Sequence, residues 1–227
     1  MAERQRNTKR STQDGRASDR LPIDGGGKES KQSRPRSEEV IDVAAELFRR
    51  KGFLGTSTQD LADALGMLKG SLYYYIDSKD DLLFAVMQSS HDHIQQRLAE
   101  AKNETGPVVD RLHRFIVRNL ESNIADPDKS AVFSTEFRYL SRERQSAVLA
   151  LRDQYEHFVR SLLEEGQASG AVCASLDPRV ATAGVLSMVN AVVNWYRPSG
   201  RTPRGTVISN LAEMAVRSVQ CGRDCTH

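Results

Sequence analysis

No apolar run in this 227-residue chain approaches the ~20 residues that a membrane-spanning helix needs. The first residues are polar and basic and contain no apolar stretch of the kind a secretory signal carries, so the chain reads as cytoplasmic. Cysteine is scarce: the three present are an odd number and offer no disulfide framework. No glycine loop of the phosphate-cradling type, no nucleophile elbow and no internal repeat occurs. His91 and His93 lie two apart and face different sides of a helix, while His113 and His157 stand alone. Cys221-x3-Cys225-x-His227 could clip a metal but lacks a fourth ligand, so no metal site and no cofactor are expected. Together these absences argue against an enzyme. Sustained strand alternation is also missing, which leaves an all-α chain. Its 39% apolar content suffices for one good core, or for a small domain beside a medium one.

The formal net charge of +2 hides an asymmetry. Residues 1–36 hold ten Lys/Arg against five Asp/Glu, and residues 37–85 hold five against nine. The first stretch, with Gly25-Gly26-Gly27, Pro22 and Pro35, cannot bury enough surface to order itself. It reads as a disordered basic tail, either an arm that follows phosphates or a solvated leader.

Residues 57–79, STQDLADALGMLKGSLYYYIDSK, carry the most information. Ser57 and Asp60 make an S-x-x-D start signal. Leu61, Ala64 and Leu65 share a face, and Gly66 can end the helix in a left-handed conformation. Met67 can pin a second helix, expected over about 68–75, with Leu72 and Ile76 inward. Lys69, Gly70, Ser71, Tyr73 and Tyr74 are left outward, a set that suits the major groove of DNA. A lysine reaches phosphate or guanine acceptors, glycine admits close backbone approach, and hydroxyls and rings meet base edges and thymine methyls. Thr58, beside the cap, joins these candidate DNA contacts, and Lys79, opening the next helix, is expected on a phosphate. In front of this helix-turn-helix, Val40, Ile41, Ala44, Ala45, Leu47 and Phe48 form the stripe of a supporting helix closed by Gly52.

The set Ala44-Ala45-Glu46-Leu47-Phe48, Gly52-Phe53, Thr56, Leu61-Ala62, Gly66, Lys69-Gly70-Ser71-Leu72-Tyr73 and Ser78-Lys79 resembles the TetR family of bacterial regulators. The resemblance implies a three-helix DNA-binding domain over 37–84. A larger helical domain for ligand binding and dimerisation follows over 85–220, then a short tail, 221–227. It also implies that the last two helices pack against a second copy. A homodimer fits the DNA side as well, because two half-sites about 34–36 Å apart give usable specificity.

Helices are expected at about 77–100, 108–122, 128–140, 143–169, 178–196 and 204–220. The one at 178–196 is apolar nearly all round and is expected to be buried. Asn190 and Asn194, one turn apart within it, bond across a packing seam, line a pocket or face a dimer partner. Trp195-Tyr196-Arg197-Pro198-x-Gly200, with the stretches 136–144, 151–156 and 163–166, resembles the family branch that answers fatty-acyl-CoA or steroid-ring acyl-CoA thioesters. Such a ligand needs an apolar tunnel and cations at its mouth. Phe133, Phe137, Tyr139, Tyr155, Trp195 and also Phe115, Phe158 and Met188 are candidates for the tunnel. Arg138, Arg152 and also Arg142, Arg144 and Arg197 are candidates for the mouth, with Asn190 and Asn194 as polar contacts.

The expectation is a ligand-responsive repressor that leaves a palindromic double-stranded operator when a small apolar or acyl-CoA effector binds. The alternatives are a drug-sensing repressor of an efflux pump, an enzyme or metal-binding module with a DNA-binding domain attached, and an architectural DNA binder that uses its basic tail.

Overall fold

The computed structural model describes residues 36–221, and every regular element among them is helical. In order they are α1 (Arg36–Lys51), α2 (Thr58–Ala64), α3 (Lys69–Leu72), α4 (Lys79–Lys102), α5 (Val108–Ala125) and α6 (Pro127–Thr135). A 3-10 turn (Phe137–Tyr139) leads to α7 (Arg142–Ala168), α8 (Pro178–Asn190), α9 (Val192–Trp195) and α10 (Arg204–Arg217). Residues 1–35 of the basic tail and the ligands Cys225 and His227 of the suggested metal clip lie outside the described residues.

Local chemistry sets most boundaries. Helix α1 stops at Gly52, whose φ of 74° an L side chain would resist. Ser78 caps α4 by accepting from the Asp81 amide, and Asp80 and Asp81 sit at the positive end of its dipole. Two Asp-Pro pairs start helices in the same way. Asp126 caps α6 and Asp177 caps α8, each with proline at the first position, where a missing N–H costs nothing.

Three expected helices differ from those found. The helix expected over 178–196 breaks at Ala191 into α8 and α9. It is also not buried all round within the protomer: Val180 is 71% exposed, and Ala183 and Gly184 face outward too. The helix expected over 128–140 ends at Thr135, and the chain turns through the 3-10 segment before α7. The helix expected over 68–75 is regular only over 69–72. Its aromatic end tightens into i to i+3 bonds, with Tyr75 N donating to Leu72 O at 2.9 Å.

Two apolar cores organise the helices. One gathers Phe48, Leu61, Leu72, Leu83 and Met87 from α1–α4 together with Val132, Phe133, Leu140 and Leu151 from the α6–α7 region. The other gathers Leu112, Ile116, Leu162, Val189 and Ala212 from α5, α7, α8 and α10. Helices α4 and α6 therefore touch both the N-terminal three-helix unit and the larger C-terminal bundle.

Candidate nucleic-acid interface and effector cavity

The helix-turn-helix is fixed by short-range bonds. The Ser57 amide donates to Asp60 Oδ2 at 2.8 Å, and the Asp60 amide donates to Ser57 Oγ at 3.0 Å, a reciprocal capping box. Lys51 Nζ reaches the same carboxylate at 2.5 Å. Hydrogen bonds from Lys51 and then Ser57 hold the Asp60 carboxyl well below the usual carboxylate range. Gly66, at φ 63°, turns the chain, and Met67 N donates back to Ala62 O at 3.0 Å. Leu72 and Ile76 sink into the core and seat α3. Lys69, Gly70 and Ser71 are exposed, Tyr74 is 94% exposed and Tyr73 is 49% exposed. Thr58 is half-buried at the start of α2. Leu68, which sequence reasoning left without a role, is 80% exposed at the head of α3, where an apolar group can meet a thymine methyl.

Lys79 is placed differently from expectation. Its Nζ donates to Phe53 O and Thr56 O, both at 2.8 Å, and lies 4.3 Å from the Phe53 ring centroid. The ammonium is occupied by carbonyls and a ring within the protein, so its phosphate contact must compete with them. Most neighbouring cations are engaged too: Arg36 with Glu39, Arg49 with Asp128, Arg50 with Glu46 and Lys51 with Asp60. Of the cations in 36–85, Lys69 alone has no acceptor among the described residues.

A cavity of about 460 Å³ lies in the larger bundle, walled by α4, α5, α6, α7 and α8. Of the residues expected around a ligand, Phe133, Arg152, Tyr155 and Asn190 line it. The other candidates do not. Phe137 lies under Arg152, 4.7 Å from ring centroid to guanidinium, and packs on the first core. Arg138 is exposed and donates to Thr135 O. Tyr139 stacks on Phe53 at 5.7 Å, because the 3-10 turn carries it toward α1 rather than into the bundle. Asn194 and Trp195 follow the break at Ala191 and turn to the surface, Trp195 being 52% exposed. Phe115 and Phe158 are core residues, Arg144 pairs with Asp81 at 2.6 Å, and Arg197 donates to Tyr196 O.

Sequence reasoning missed much of the wall. From α4 come Ser90, His93, Ile94 and Arg97, from α5 Asn119 and Asn123, and from α6 Lys129 and Ser130. Asn123 Nδ2 donates to Asn190 Oδ1 across the cavity at 3.4 Å. Lys129 bonds Asp42 of α1 at 2.6 Å and Asp126 at 3.1 Å. Burial alone would lower its pKa, but those two carboxylates carry it above the ordinary value. Two further links bind this end of the bundle to α1 and the loop that follows it: Arg49 with Asp128 at 2.8 Å, and the Phe53 amide donating to Glu136 Oε2 at 2.9 Å.

Residues 40–86 match the family model for bacterial regulatory proteins of the tetR family, and residues 105–219 match the tetracyclin repressor-like C-terminal domain. The chain is 27% identical over 173 residues to the HTH-type transcriptional repressor KstR2 of Rhodococcus jostii, covering 76% of this chain and 85% of that one. The structure of the ketosteroid transcriptional regulator KstR2 of Mycobacterium tuberculosis superposes with a TM-score of 0.78 at 22% identity, covering 84% of this chain and 98% of the other. That of AibR in complex with isovaleryl coenzyme A and operator DNA gives 0.70 at 25% identity, covering 79% and 97%. With both halves matched in this order, and with the reading helix and the cavity in place, the chain belongs to the TetR family: it is a DNA-binding transcription regulator.

Proposed function

We propose that the chain is a cytoplasmic homodimeric repressor that holds a palindromic operator through Leu68–Tyr75 and releases it when an acyl-CoA thioester enters the cavity between α4 and α8. The observation that carries this reading is Lys129, which lines the cavity and pairs with Asp42 of α1 in the DNA-binding unit. A ligand that draws Lys129 or displaces α6 acts on α1 directly. Its effect on the operator is set by its difference in affinity for the two conformers, and tight binding to both would change nothing. The likeness to AibR, solved with isovaleryl coenzyme A and operator DNA, supports the thioester class. The likeness to KstR2 supports a repressor. A cavity of 460 Å³ holds an acyl group but not the nucleotide, which would remain outside.

Dimerisation is supported by the faces α8 and α10 leave uncovered, with Val180, Ala183, Gly184 and Met214 exposed. Small residues there let a second copy approach closely. An efflux-type drug sensor is less well supported, because serines, asparagines and charged groups outnumber aromatics around the cavity.

The test is fluorescence anisotropy of the protein on a labelled duplex from its own upstream DNA, titrated with acyl-CoA thioesters and the matching free acids. Release by thioesters is the expected outcome. Specific binding that no thioester disturbs would remove this effector class.

A further inference from the structure

The cavity contains more hydrogen-bond donors than its own walls satisfy. Arg97 projects from α4 into it and makes no hydrogen bond or ion pair among the described residues. Glu100, one turn on, accepts instead from Gln96 at 3.0 Å. Burial pushes the Arg97 pKa down, with Tyr155 and Glu100 opposing from a distance. The Tyr155 hydroxyl, also in the wall, is buried without a partner. Its ring packs against Phe115, 4.9 Å between centroids. Burial raises the Tyr155 pKa, which keeps the group a neutral donor. Asn119, one turn from Phe115 and only 6% exposed, adds an amide with no bond of its own among the described residues.

An unmatched buried donor such as the Tyr155 hydroxyl is costly, and the half-buried Arg97 guanidinium adds a partly desolvated charge with no counter-ion. One neutral carbonyl would satisfy a single donor and leave the charge uncompensated. A carboxylate matches the fork of Arg97 with two oxygens and has lone pairs left for a hydroxyl and an amide. Lys129 does not compete for this role, because Asp42 and Asp126 already neutralise it. Ile94, Phe133, Leu151 and Leu186 offer an apolar wall for the methylenes that precede such a group.

We infer that the effector presents a carboxylate to Arg97, Tyr155 and Asn119 inside the cavity. Resting on the thioester reading, this makes the effector the half-thioester of a dicarboxylic acid, its free acid end inward and its CoA end outward. The same carboxylate chemistry could come from a free acid, and the experiment separates the two.

Isothermal titration calorimetry on the full chain would compare dicarboxylic half-thioesters of CoA, from glutaryl to sebacoyl, with monocarboxylic thioesters of equal chain length and with the free diacids. The expected result is a chain length at which the half-thioester binds about tenfold or more tighter than its monocarboxylic partner. Arg97→Met and Tyr155→Phe should erase that preference, and Arg97→Lys should restore part of it. Thermal unfolding of each variant checks that it folds, and Tyr155→Phe keeps the ring packing in any case. Absence of preference at every length, or a preference that survives Arg97→Met, overturns the inference. If monocarboxylic thioesters bind equally well and release DNA, the inference falls and the thioester reading stands. If free diacids bind in an Arg97-dependent way and no thioester does, the carboxylate site stands and the thioester reading falls. If no probe binds, both fall.

Discussion

Tyr73 and Lys79 are six residues apart and do different work. Tyr73 is exposed and holds nothing up, so Tyr73→Ala should lower operator affinity at least tenfold, about 1.4 kcal/mol, in an anisotropy titration while leaving the melting temperature within a degree or so. Lys79 ties the loop after α1 to the start of α4. Lys79→Ala should lower thermal stability, by about 1–3 kcal/mol in a denaturant titration. An unchanged midpoint would show that those carbonyls find water without loss. Gly70 gives a third contrast. A Cβ there meets nothing within 4 Å inside the protein. Gly70→Ala should therefore stabilise the fold by up to about 1 kcal/mol through helix propensity. On the proposed interface it should also weaken operator binding, since the added methyl would point at the groove. Tighter binding would mean that the backbone does not approach the groove closely.

At the scale of elements, caps decide where the short helices stand. Asp81 accepts from the Ser78 hydroxyl, donates its own amide back to that oxygen and pairs with Arg144 of α7, so it joins the start of α4 to the bundle. Hydrogen bonds from Ser78 and then Arg144 hold its pKa below the ordinary 3.8. The stability it contributes is therefore complete above that value and is lost as the pH falls from there through the depressed folded value. Asp81→Asn should cost about 1 kcal/mol at neutral pH, allowing for solvent screening, and the deficit should start to shrink only as the pH falls below 3.8. A deficit that persists in acid would place its origin in packing. These elements also show why parts of the sequence were legible and others were not. The S-x-x-D box, Gly66 and the inward Leu72 are local signals, and they gave α2, the turn and α3 directly. The tunnel aromatics depended on tertiary choices. Helical spacing says that Phe137 and Tyr139 are buried, but not that a 3-10 turn carries them to Phe53. Arg97 was missed although a trace of it existed. The apolar stripe of α4, steady at Leu82, Leu83, Val86 and Met87, lapses at Ser90, His93 and Arg97, where the cavity replaces packed neighbours.

For the whole molecule, the ion pairs between α6 and α1 link the cavity wall to the DNA-binding unit. Lys129→Met removes the pair with Asp42 yet leaves an apolar stem. In the same titration it should shift the effector concentration that releases half the operator by about fivefold or more, a typical coupling energy of 1–3 kcal/mol. An unshifted release curve with normal effector binding would locate the coupling elsewhere. The dimer face is testable in the same spirit. Met214→Glu should yield monomers in light scattering and abolish tight operator binding, since it places a charge on a surface that a second copy is expected to cover.

The internal pairing of the cations around the reading helix reaches beyond architecture. With Arg36, Arg49, Arg50 and Lys51 tied to carboxylates and Lys79 to carbonyls, this domain displaces few counterions when it docks. Hydroxyls, a methyl-sized gap at Gly70 and the apolar Leu68 must then carry most of the recognition. Apart from Lys69 and whatever residues 1–36 add, such a contact should depend only weakly on potassium. Shifts in intracellular salt as a cell shrinks or swells would then alter the grip of this domain on DNA only slightly.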